Sequence, residues 1–421
     1  MLNKIKSKYI LKIVFGKLKK RIRLKLLKYN KILKSKLYIT KKDFEEFQII
    51  KKLNKKYDLS IRDIEIKIIN LEKKELSSEI FEELSKIGFN EVHELNLYYN
   101  RLNNIKGLDK LNLDKLEKLN LSWTNISDID VLGKINFKKL KELNLNYNRI
   151  YNINILEKVN SKDLKLLDLS NNNISDISVL EKVKFEKLEK LNLSDNKISD
   201  ITILENVNFK QLKELNLIGN KISDIGVLEK VKFEKLEILK LRNNNISDIN
   251  ILGNVNFPGL KFLDLRNNNI CDINILEKVN FRELKILNLV ENKISDISVL
   301  ERVKFEKLEI LVLCTNNISD INVFEKVNFK ELKQLYLAKN NISDISVLSR
   351  VKFEKLELLE LSNNNISDIR ILEKVNLIKL KKLILSGNNI FILSKLEKDI
   401  LEKLQVLNMK ENDNNILYIV F

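Results

Sequence analysis

A leucine recurs every 24 residues over most of the chain, and this period limits the possible folds more than any other feature of the sequence. The fourteen copies keep one register and lie at Leu95, Leu119, Leu143, Leu167, Leu191, Leu215, Leu239, Leu263, Leu287, Leu311, Leu335, Leu359, Leu383 and Leu407. Self-similarity with a period of about 20–50 residues is typical of a solenoid, in which each repeat contacts only its neighbours. One copy cannot bury its apolar side chains alone, so successive turns must stack to form the core.

The repeat unit reads LNLSDNKISDITILENVNFKQLKE in the copy at 191–214. Leu191 and Leu193 alternate with polar residues, which predicts a short strand that directs both leucines into the core. Isoleucines follow at near-helical spacing. The Ser-Asp pair at 199–200 suits the start of a short helix, because either side chain can cap a free backbone N–H. Phe209 closes the turn, and the equivalent phenylalanines are expected to form a second internal stack.

An asparagine or its equivalent stands three residues after the second leucine in thirteen of the fourteen copies, and Thr124 is the exception. The chain must turn inward at this point, where a buried amide can satisfy backbone groups of neighbouring turns. We therefore predict a structural ladder of stacked asparagines. Its members are Asn100, Asn148, Asn172, Asn196, Asn220, Asn244, Asn268, Asn292, Asn316, Asn340, Asn364 and Asn388.

The string Leu-x-x-Leu-x-Leu-x-x-Asn-x-Ile at 188–198 resembles the leucine-rich repeat. Its continuation Ile-Ser-Asp-Ile at 198–201 is similar to the phosphatase-regulator-like and internalin-like subclass. The resemblance covers about residues 64–421. It implies an α/β fold, a right-handed solenoid shaped as a horseshoe or arc with a concave parallel sheet. It also implies a non-enzymatic scaffold that binds a partner protein on the concave face.

The sequence divides into four segments by charge and repeat pattern. These are a basic helical module at 1–42, a linker helix and N-terminal cap at 43–91, thirteen repeats at 92–403, and a degenerate last repeat with a C-terminal cap at 404–421. Within the N-terminal cap, alternating isoleucines at 64–68 predict a strand. The segment from Ser77 to Ile87 predicts a helix that covers the open end of the stack.

The first 42 residues contain sixteen Lys or Arg and no Asp or Glu, so they carry nearly all of the net charge of +18. Their apolar residues recur at helical spacing, which predicts short basic amphipathic helices. Three interpretations remain open. The first is a basic helical cap on the solenoid. The second is an F-box-like adaptor of a ubiquitin ligase, suggested by the run at 10–18 with Leu24 and Leu27. The third is a contact for acidic membrane or nucleic acid, or a targeting sequence.

Enzymatic constellations are missing from the sequence. His93 is the only histidine, which excludes metal sites with several histidine ligands. Its neighbours in the following turns are Glu117, Lys141 and Lys165, so we expect it to lie in solvent and to form no Ser-His-Asp or Cys-His arrangement. Phosphate-binding glycine loops are also absent. A column of aspartates is better explained as one helix cap per turn than as a cation site; its members are Asp176, Asp200, Asp224, Asp248, Asp272, Asp296, Asp320, Asp344 and Asp368. We expect no enzyme activity, no cofactor and no metal.

Cysteine usage favours a reducing compartment. Cys271 and Cys314 lie nearly two turns apart, beyond the reach of a disulfide, and cysteine-rich caps are absent. No stretch of 18 apolar residues predicts a membrane span. These features favour an intracellular, cytoplasmic location.

Four successive strands carry apolar or cationic residues at positions that are polar in other turns. These positions predict a partner-binding surface made of Ile238, Lys240, Arg242, Phe262, Arg266, Ile286, Val290, Ile310 and Val312. An apolar ladder facing water is typical of an interface, and arginines beside it are typical of binding hot spots. The alternatives are neutral drift of the repeats and coverage by a neighbouring copy.

A second cluster of amphipathic aromatic residues lies at the ends of the first strands, and it contains the only tryptophan of the chain. It consists of Tyr98, Tyr99, Trp123 and Tyr147. Such side chains anchor protein partners at low entropic cost. The alternative is that they pack against the N-terminal helices.

Overall fold

The computed structural model describes residues 41–56, 68–87, 89, 91–375, 377–390, 406–408 and 419–420. The F-box-like, cap and membrane interpretations of residues 1–42 concern a segment that lies outside this part, apart from its last two residues. The chain divides into two compact units, Met1–Leu188 and Glu189–Phe421, which we call unit 1 and unit 2. No helix in the described ranges is both long enough and apolar enough to cross a membrane.

The described part of unit 1 contains two α-helices and five short strands. They are α1 (Lys41–Lys56), β1 (Ile68–Asn70), α2 (Ile80–Leu84), β2 (Glu94–Asn96), β3 (Lys118–Asn120), β4 (Glu142–Asn144) and β5 (Leu166–Asp168). The strands pair in parallel in chain order, with equivalent residues opposite each other. Buried Ile80, Phe81 and Leu84 of α2 pack into the N-terminal end of this unit.

Helix α2 is shorter than the predicted helix at 77–87. The chain on both sides of it forms turns with i→i+3 hydrogen bonds, such as Ile80 N–H to Ser77 O at 3.2 Å and Ile87 N–H to Leu84 O at 2.9 Å. Such bonds belong to 3₁₀ geometry, which tightens helix ends. The α-helical part is therefore little more than one turn.

Eleven strands of unit 2 lie in the described residues: ten that follow one another in parallel and a final antiparallel strand. They are β6 (Lys190–Asn192), β7 (Glu214–Asn216), β8 (Ile238–Lys240), β9 (Phe262–Asp264), β10 (Ile286–Asn288), β11 (Ile310–Val312), β12 (Gln334–Tyr336), β13 (Leu358–Glu360), β14 (Lys382–Ile384), β15 (Val406–Asn408) and β16 (Ile419–Val420). Strand β16 pairs antiparallel with β15, so part of the apolar C-terminal tail joins the sheet.

The core is made of stacked columns of equivalent side chains. In the repeat at 191–214, Leu191, Leu193, Ile198 and Leu204 are at most 1% exposed, and Phe209 is equally buried. Leu191 pairs with Leu215 in the sheet, and the same register holds for later strands. Because every turn has the same length, each apolar side chain meets its own counterpart in the next turn. The predicted parallel-sheet solenoid is confirmed.

A 3₁₀ helix, and not an α-helix, follows each of the strands β2 to β13. These helices are Leu108–Lys110, Asp130–Lys134, Asn154–Lys158, Ser178–Glu181, Thr202–Glu205, Gly226–Glu229, Asn250–Gly253, Asn274–Glu277, Ser298–Glu301, Asn322–Glu325, Ser346–Ser349 and Arg370–Lys374. The capping position itself is held by a buried isoleucine such as Ile201, which faces the core. The aspartate lies one residue before the capping position and still binds a free backbone group, since Asp200 Oδ1 accepts the Thr202 N–H at 2.8 Å.

Within each unit, the ladder asparagines join neighbouring turns, as Asn220 shows. The Nδ2 group of Asn220 donates to Leu193 O, 27 residues earlier, at 3.0 Å and to Leu217 O at 3.1 Å. Its Oδ1 accepts the buried N–H of Ile198 at 3.0 Å. Thr124 replaces only part of this set of hydrogen bonds, since its Oγ1 donates to Leu121 O at 2.6 Å. Of the twelve asparagines named above, eleven are buried and Asn148 is half-buried.

Candidate functional site

The residue before each ladder position has a left-handed backbone. In unit 1 three successive turns place aromatic residues there: Tyr99 (φ 57°), Trp123 (φ 56°) and Tyr147 (φ 51°). We call these three residues the aromatic row. The turn geometry is fixed by the backbone, since the Trp123 N–H donates to Asn146 O at 3.1 Å and its neighbours make the same bond.

Left-handed backbone is unfavourable for bulky side chains, because the Cβ atom crowds the following carbonyl oxygen. Glycine, asparagine and aspartate tolerate it best. In unit 2 the same position holds no aromatic residue; it is occupied by Asp195, Gly219, Asn243, Asn267, Glu291, Thr315, Lys339, Asn363 and Gly387. The aromatic residues of unit 1 are therefore not required by the repeat fold.

The rings of the aromatic row form a partly stacked series that is open to solvent. The Trp123 and Tyr147 centroids lie 4.2 Å apart with planes inclined by 15°, and those of Tyr99 and Trp123 lie 5.8 Å apart at 41°. Tyr99, Trp123 and Tyr147 are 52%, 42% and 43% exposed. Tyr98, the fourth residue of the predicted cluster, is half-buried, with its ring 5.8 Å from that of Tyr99.

The polar tips of these rings lack hydrogen-bond partners among the described residues. In the part of the chain that the structure describes, the hydroxyls of Tyr99 and Tyr147 and the indole N–H of Trp123 make no hydrogen bond. The rings line an open groove of about 720 Å³. Because Trp123 and Tyr147 cover one face of each other, the groove offers mainly ring edges and hydrogen-bond donors.

Cations flank the aromatic row. The groove lining contains Lys73, Arg101 and Arg149 but only one carboxylate, Glu75. Arg101 and Arg149 are exposed, and no ion pair involves either of them within the described residues. The spacing of the repeats places them two turns apart. Sequence reasoning missed both arginines, although each directly follows a ladder asparagine.

Arginines of unit 2 behave differently, because several are paired with glutamates. The Nε atoms of Arg266, Arg302 and Arg350 lie 3.3, 2.6 and 2.8 Å from carboxylate oxygens. These carboxylates belong to glutamates one turn away. Charge pairing between turns is thus common in the repeats, and within the described residues Arg101 and Arg149 are two arginines that lack it.

The predicted apolar surface lies on the side of the unit 2 sheet that faces away from the core. Ile238, Phe262, Ile286 and Ile310 stand side by side in register on β8 to β11, and we call them the apolar stripe. All four are half-buried, not fully exposed as expected, because neighbouring side chains on the sheet cover part of each one. Val290 and Val312, also predicted to bind a partner, are half-buried on the same surface.

The cations beside the apolar stripe already have partners. Lys240 Nζ lies 2.6 Å from Glu214 Oε1, Arg266 pairs with Glu291, and Arg242 Nε donates to Asn243 Oδ1 at 3.3 Å. Their charges are therefore less available to a ligand than those of the groove.

Asp264 was not among the predicted site residues, yet it lies among these cations. It is buried, and burial raises the pKa of its carboxyl although Arg266 donates a backbone N–H to it at 3.1 Å. The sequence signal was an acidic residue with Arg266 two residues later in the same turn and Lys240 at the paired position of the preceding strand.

Metal-ligating and nucleophilic groups do not converge in the described residues. No cluster of three or more His, Cys, Asp and Glu side chains there could hold a metal ion. His93 Nδ1 lies 3.3 Å from Glu117 Oε1. Cys271 is free and exposed, while Cys314 is free and half-buried, and burial raises the pKa of its thiol to about 11. A thiol with such a pKa is almost entirely protonated at neutral pH and is a poor nucleophile.

The stacked parallel strands, the buried leucine columns and the asparagine ladder together define a repeat solenoid. Family models agree: one described as "Leucine Rich repeats (2 copies)" matches residues 186–230 and 330–374, and two single-repeat models match 163–182 and 114–132. No curated protein sequence matches the chain.

Solved structures share this fold. An internalin (InlF) from Listeria monocytogenes is 31% identical, with a TM-score of 0.64, over 80% of this chain and 89% of that one. A leucine-rich-repeat protein of Leptospira interrogans is 22% identical, with a TM-score of 0.68, over 86% of this chain and 93% of that one. The functional domain of InlJ from Listeria monocytogenes is 19% identical, with a TM-score of 0.56, over 78% and 70%. The chain belongs to the leucine-rich-repeat family, whose members are typically non-enzymatic scaffolds for protein interactions.

Proposed function

We propose that the chain is a non-enzymatic, internalin-like scaffold whose partner protein binds along the aromatic row. One observation carries this proposal: three exposed aromatic residues occupy consecutive turns at a backbone position that disfavours them. A bulky residue in left-handed conformation costs on the order of 1–3 kcal/mol. Strain of this kind is concentrated at functional sites, and six of the nine described turns of unit 2 avoid most of it by placing glycine, asparagine or aspartate at this position.

The chemistry of the row fits a protein interface. Tyrosine, tryptophan and arginine are the residues most enriched among binding hot spots. Aromatic side chains supply a large contact area while few rotatable bonds are immobilised. The mutual stacking of Trp123 and Tyr147 holds both rings in place before a partner arrives, which lowers the entropy lost on binding.

The internalin-like assignment is supported by the 31% identity to InlF over most of both chains. Binding through the apolar stripe stays a prediction, since the stripe is half-buried and its cations are paired. An intracellular location is also a proposal. The two free cysteines support it, because a reducing compartment keeps thiols in this form.

The test replaces the rings without disturbing the turn. In the variant Trp123→Asn/Tyr147→Asn, asparagine suits the left-handed backbone, as Asn171 and Asn243 show at the same position. Tyr151→Asn is the matched control, because Tyr151 is 65% exposed but does not belong to the row. Partners are captured by cross-linking in extracts of the native host, identified, purified and titrated against each variant.

We expect one partner to be recovered with the wild type and with Tyr151→Asn but not with the double variant. The purified partner should bind the double variant about 30-fold or more weakly, which corresponds to about 2 kcal/mol for lost hot-spot contacts. Equal capture of every recovered protein by all three chains would overturn the proposal.

Two further functions rest on the basic segment 1–42. The ubiquitin-ligase adaptor interpretation and the contact with acidic membrane or nucleic acid remain alternatives, motivated by its sixteen cations. Capture with and without the segment separates them. Loss of a ligase adaptor on truncation favours the first, and loss of salt-sensitive binding to acidic vesicles or RNA favours the second. Both alternatives are contradicted if truncation changes neither the capture of a ligase adaptor nor the binding to acidic vesicles or RNA.

A further inference from the structure

We propose that the aromatic row takes an extended acidic peptide segment of the partner, with two carboxylates about 10 Å apart held by Arg101 and Arg149. This inference rests on the proposed function, because it names the chemistry of the ligand at the same site. It is carried by the spacing of the turns and by arginines and ring donors that have no partner in the part of the chain that the structure describes.

The groove presents positive charge and hydrogen-bond donors to its ligand. The hydroxyls of Tyr99 and Tyr147 and the indole N–H of Trp123 are free to donate, and the exposed ring edges carry partial positive charge. The amide pair Asn125 and Asn103 is already engaged, since Asn125 Nδ2 donates to Asn103 Oδ1 at 2.6 Å. A ligand rich in carboxylate and carbonyl oxygens complements these groups.

The two arginines set the spacing of the charges on the ligand. Arg101 follows Tyr99 by two residues and Arg149 follows Tyr147 by two, so they lie two turns apart. Turns repeat at about 4.8 Å, which gives about 10 Å between equivalent positions. A polyproline II segment rises about 3.1 Å per residue with three residues per turn, so acidic residues three apart match this distance on one face.

A single-stranded nucleic acid fits the groove less well, although it is also anionic. Its bases bind by stacking on open aromatic faces. Here Trp123 and Tyr147 stack on each other at 4.2 Å, which closes one face of each ring. Glu75 in the groove lining would also repel a continuous chain of phosphates.

The only tryptophan of the chain lies in the row, so its fluorescence reports directly on binding. The full chain is titrated with the peptide Gly-Pro-Glu-Phe-Pro-Glu-Pro-Gly, whose prolines favour the extended conformation. The comparison ligands are the same peptide with both glutamates replaced by glutamine, and an oligothymidine. Arg101→Gln and Arg149→Gln test the two cations, and Arg282→Gln is the control, since Arg282 is exposed and has no ion pair in the described residues.

We expect saturable binding of the acidic peptide that weakens as salt is raised. The glutamine peptide should bind about tenfold or more weakly, and each of Arg101→Gln and Arg149→Gln should weaken acidic-peptide binding about fivefold, while Arg282→Gln has no effect. Charge reversal by Arg149→Glu should restore binding to a peptide whose second glutamate is lysine.

The inference is overturned if both peptides bind equally, if neither binds, if Arg282→Gln acts like the groove variants, or if oligothymidine binds more tightly than the acidic peptide. These results leave the proposed function intact when capture of the native partner still depends on Trp123 and Tyr147. If that capture is insensitive to both rings, the proposed function fails.

Discussion

Trp123 stacks on Tyr147 with ring centroids 4.2 Å apart, and both residues have a left-handed backbone. Two opposing contributions to stability follow from this relationship. The stacked pair contributes about 0.5–1.5 kcal/mol, whereas each strained backbone costs about 1–3 kcal/mol. The rings therefore add little or nothing to the free energy of unfolding, which is expected of residues that serve binding.

We predict that Trp123→Asn leaves the free energy of unfolding unchanged or raises it by up to about 1 kcal/mol, because asparagine relieves the strained backbone. Urea denaturation followed by circular dichroism measures the change. Tyr98→Asn is the control: Tyr98 is half-buried and not left-handed, so its loss should destabilise the protein by about 1–2 kcal/mol. A loss above about 2 kcal/mol for Trp123→Asn would show that the ring is a structural element.

The asparagine ladder gives a second prediction. Asn220→Ala should lower the free energy of unfolding by roughly 1–3 kcal/mol, because it leaves the buried Ile198 N–H and Leu193 O without their partner. Asn220→Thr should cost less, since Thr124 Oγ1 donates to Leu121 O, the counterpart of the Leu217 O that Asn220 also binds. Lys213→Ala serves as the surface control, as the Lys213–Glu189 pair at 2.8 Å is exposed to solvent, which screens it and leaves it little effect on stability. Equal losses for Asn220→Ala and Lys213→Ala would contradict the bonds described above.

The solenoid and its leucine columns could be predicted because every repeat has the same length. An unbroken 24-residue period forces equivalent residues to meet, so Leu191 must pair with its counterpart Leu215. No such rule decides between 3₁₀ and α geometry within a single turn. Spacings of 3.0 and 3.6 residues per turn differ little over the four residues of Thr202–Glu205, and only the backbone hydrogen bonds distinguish them.

The candidate sites were predicted less completely, because exposure and charge pairing depend on neighbouring turns. The row of Tyr99, Trp123 and Tyr147 was visible as a cluster in the sequence, but its strained backbone was not recognised. A signal existed: the same position holds asparagine, aspartate or glycine in many other turns, which indicates left-handed backbone. The lack of ion pairs at Arg101 and Arg149 among the described residues could not be predicted, because a carboxylate at any of several positions in an adjacent turn could pair with either arginine.

The aspartates that precede the 3₁₀ helices give a prediction about pH. Backbone N–H groups of Thr202 and Ser298 hold the pKa values of Asp200 and Asp296 below the ordinary value of 3.8. A carboxyl whose folded pKa is depressed stabilises the protein above its unfolded pKa, and this stabilisation is lost as the pH falls through that value towards the folded pKa. Asp200→Ala and Asp296→Ala should each cost about 1 kcal/mol at pH 7 and less at pH 3.

Urea denaturation at the two pH values measures this difference. Asp200→Asn is the matched control, because its amide oxygen can still accept the Thr202 N–H but carries no titrating charge. Its effect on stability, relative to Asp200→Ala, should not change between pH 7 and pH 3. The interpretation is wrong if wild type and Asp200→Ala differ by the same free energy at both pH values.

The apolar stripe gives the last prediction, which separates packing from binding. Phe262 is half-buried between Ile238 and Ile286, so Phe262→Ser should lower the free energy of unfolding by about 1–2 kcal/mol, less than the 3–5 kcal/mol typical of a fully buried phenylalanine. Ile378→Ser is the control in the same unit, because Ile378 is 75% exposed and its loss should leave stability unchanged. Thermal and urea denaturation measure both variants.

The purified partner is then titrated against them: a tenfold or greater loss of affinity for Phe262→Ser alone would place the stripe in the interface. Unchanged affinity would make the stripe a feature of sheet packing, with binding confined to the aromatic row.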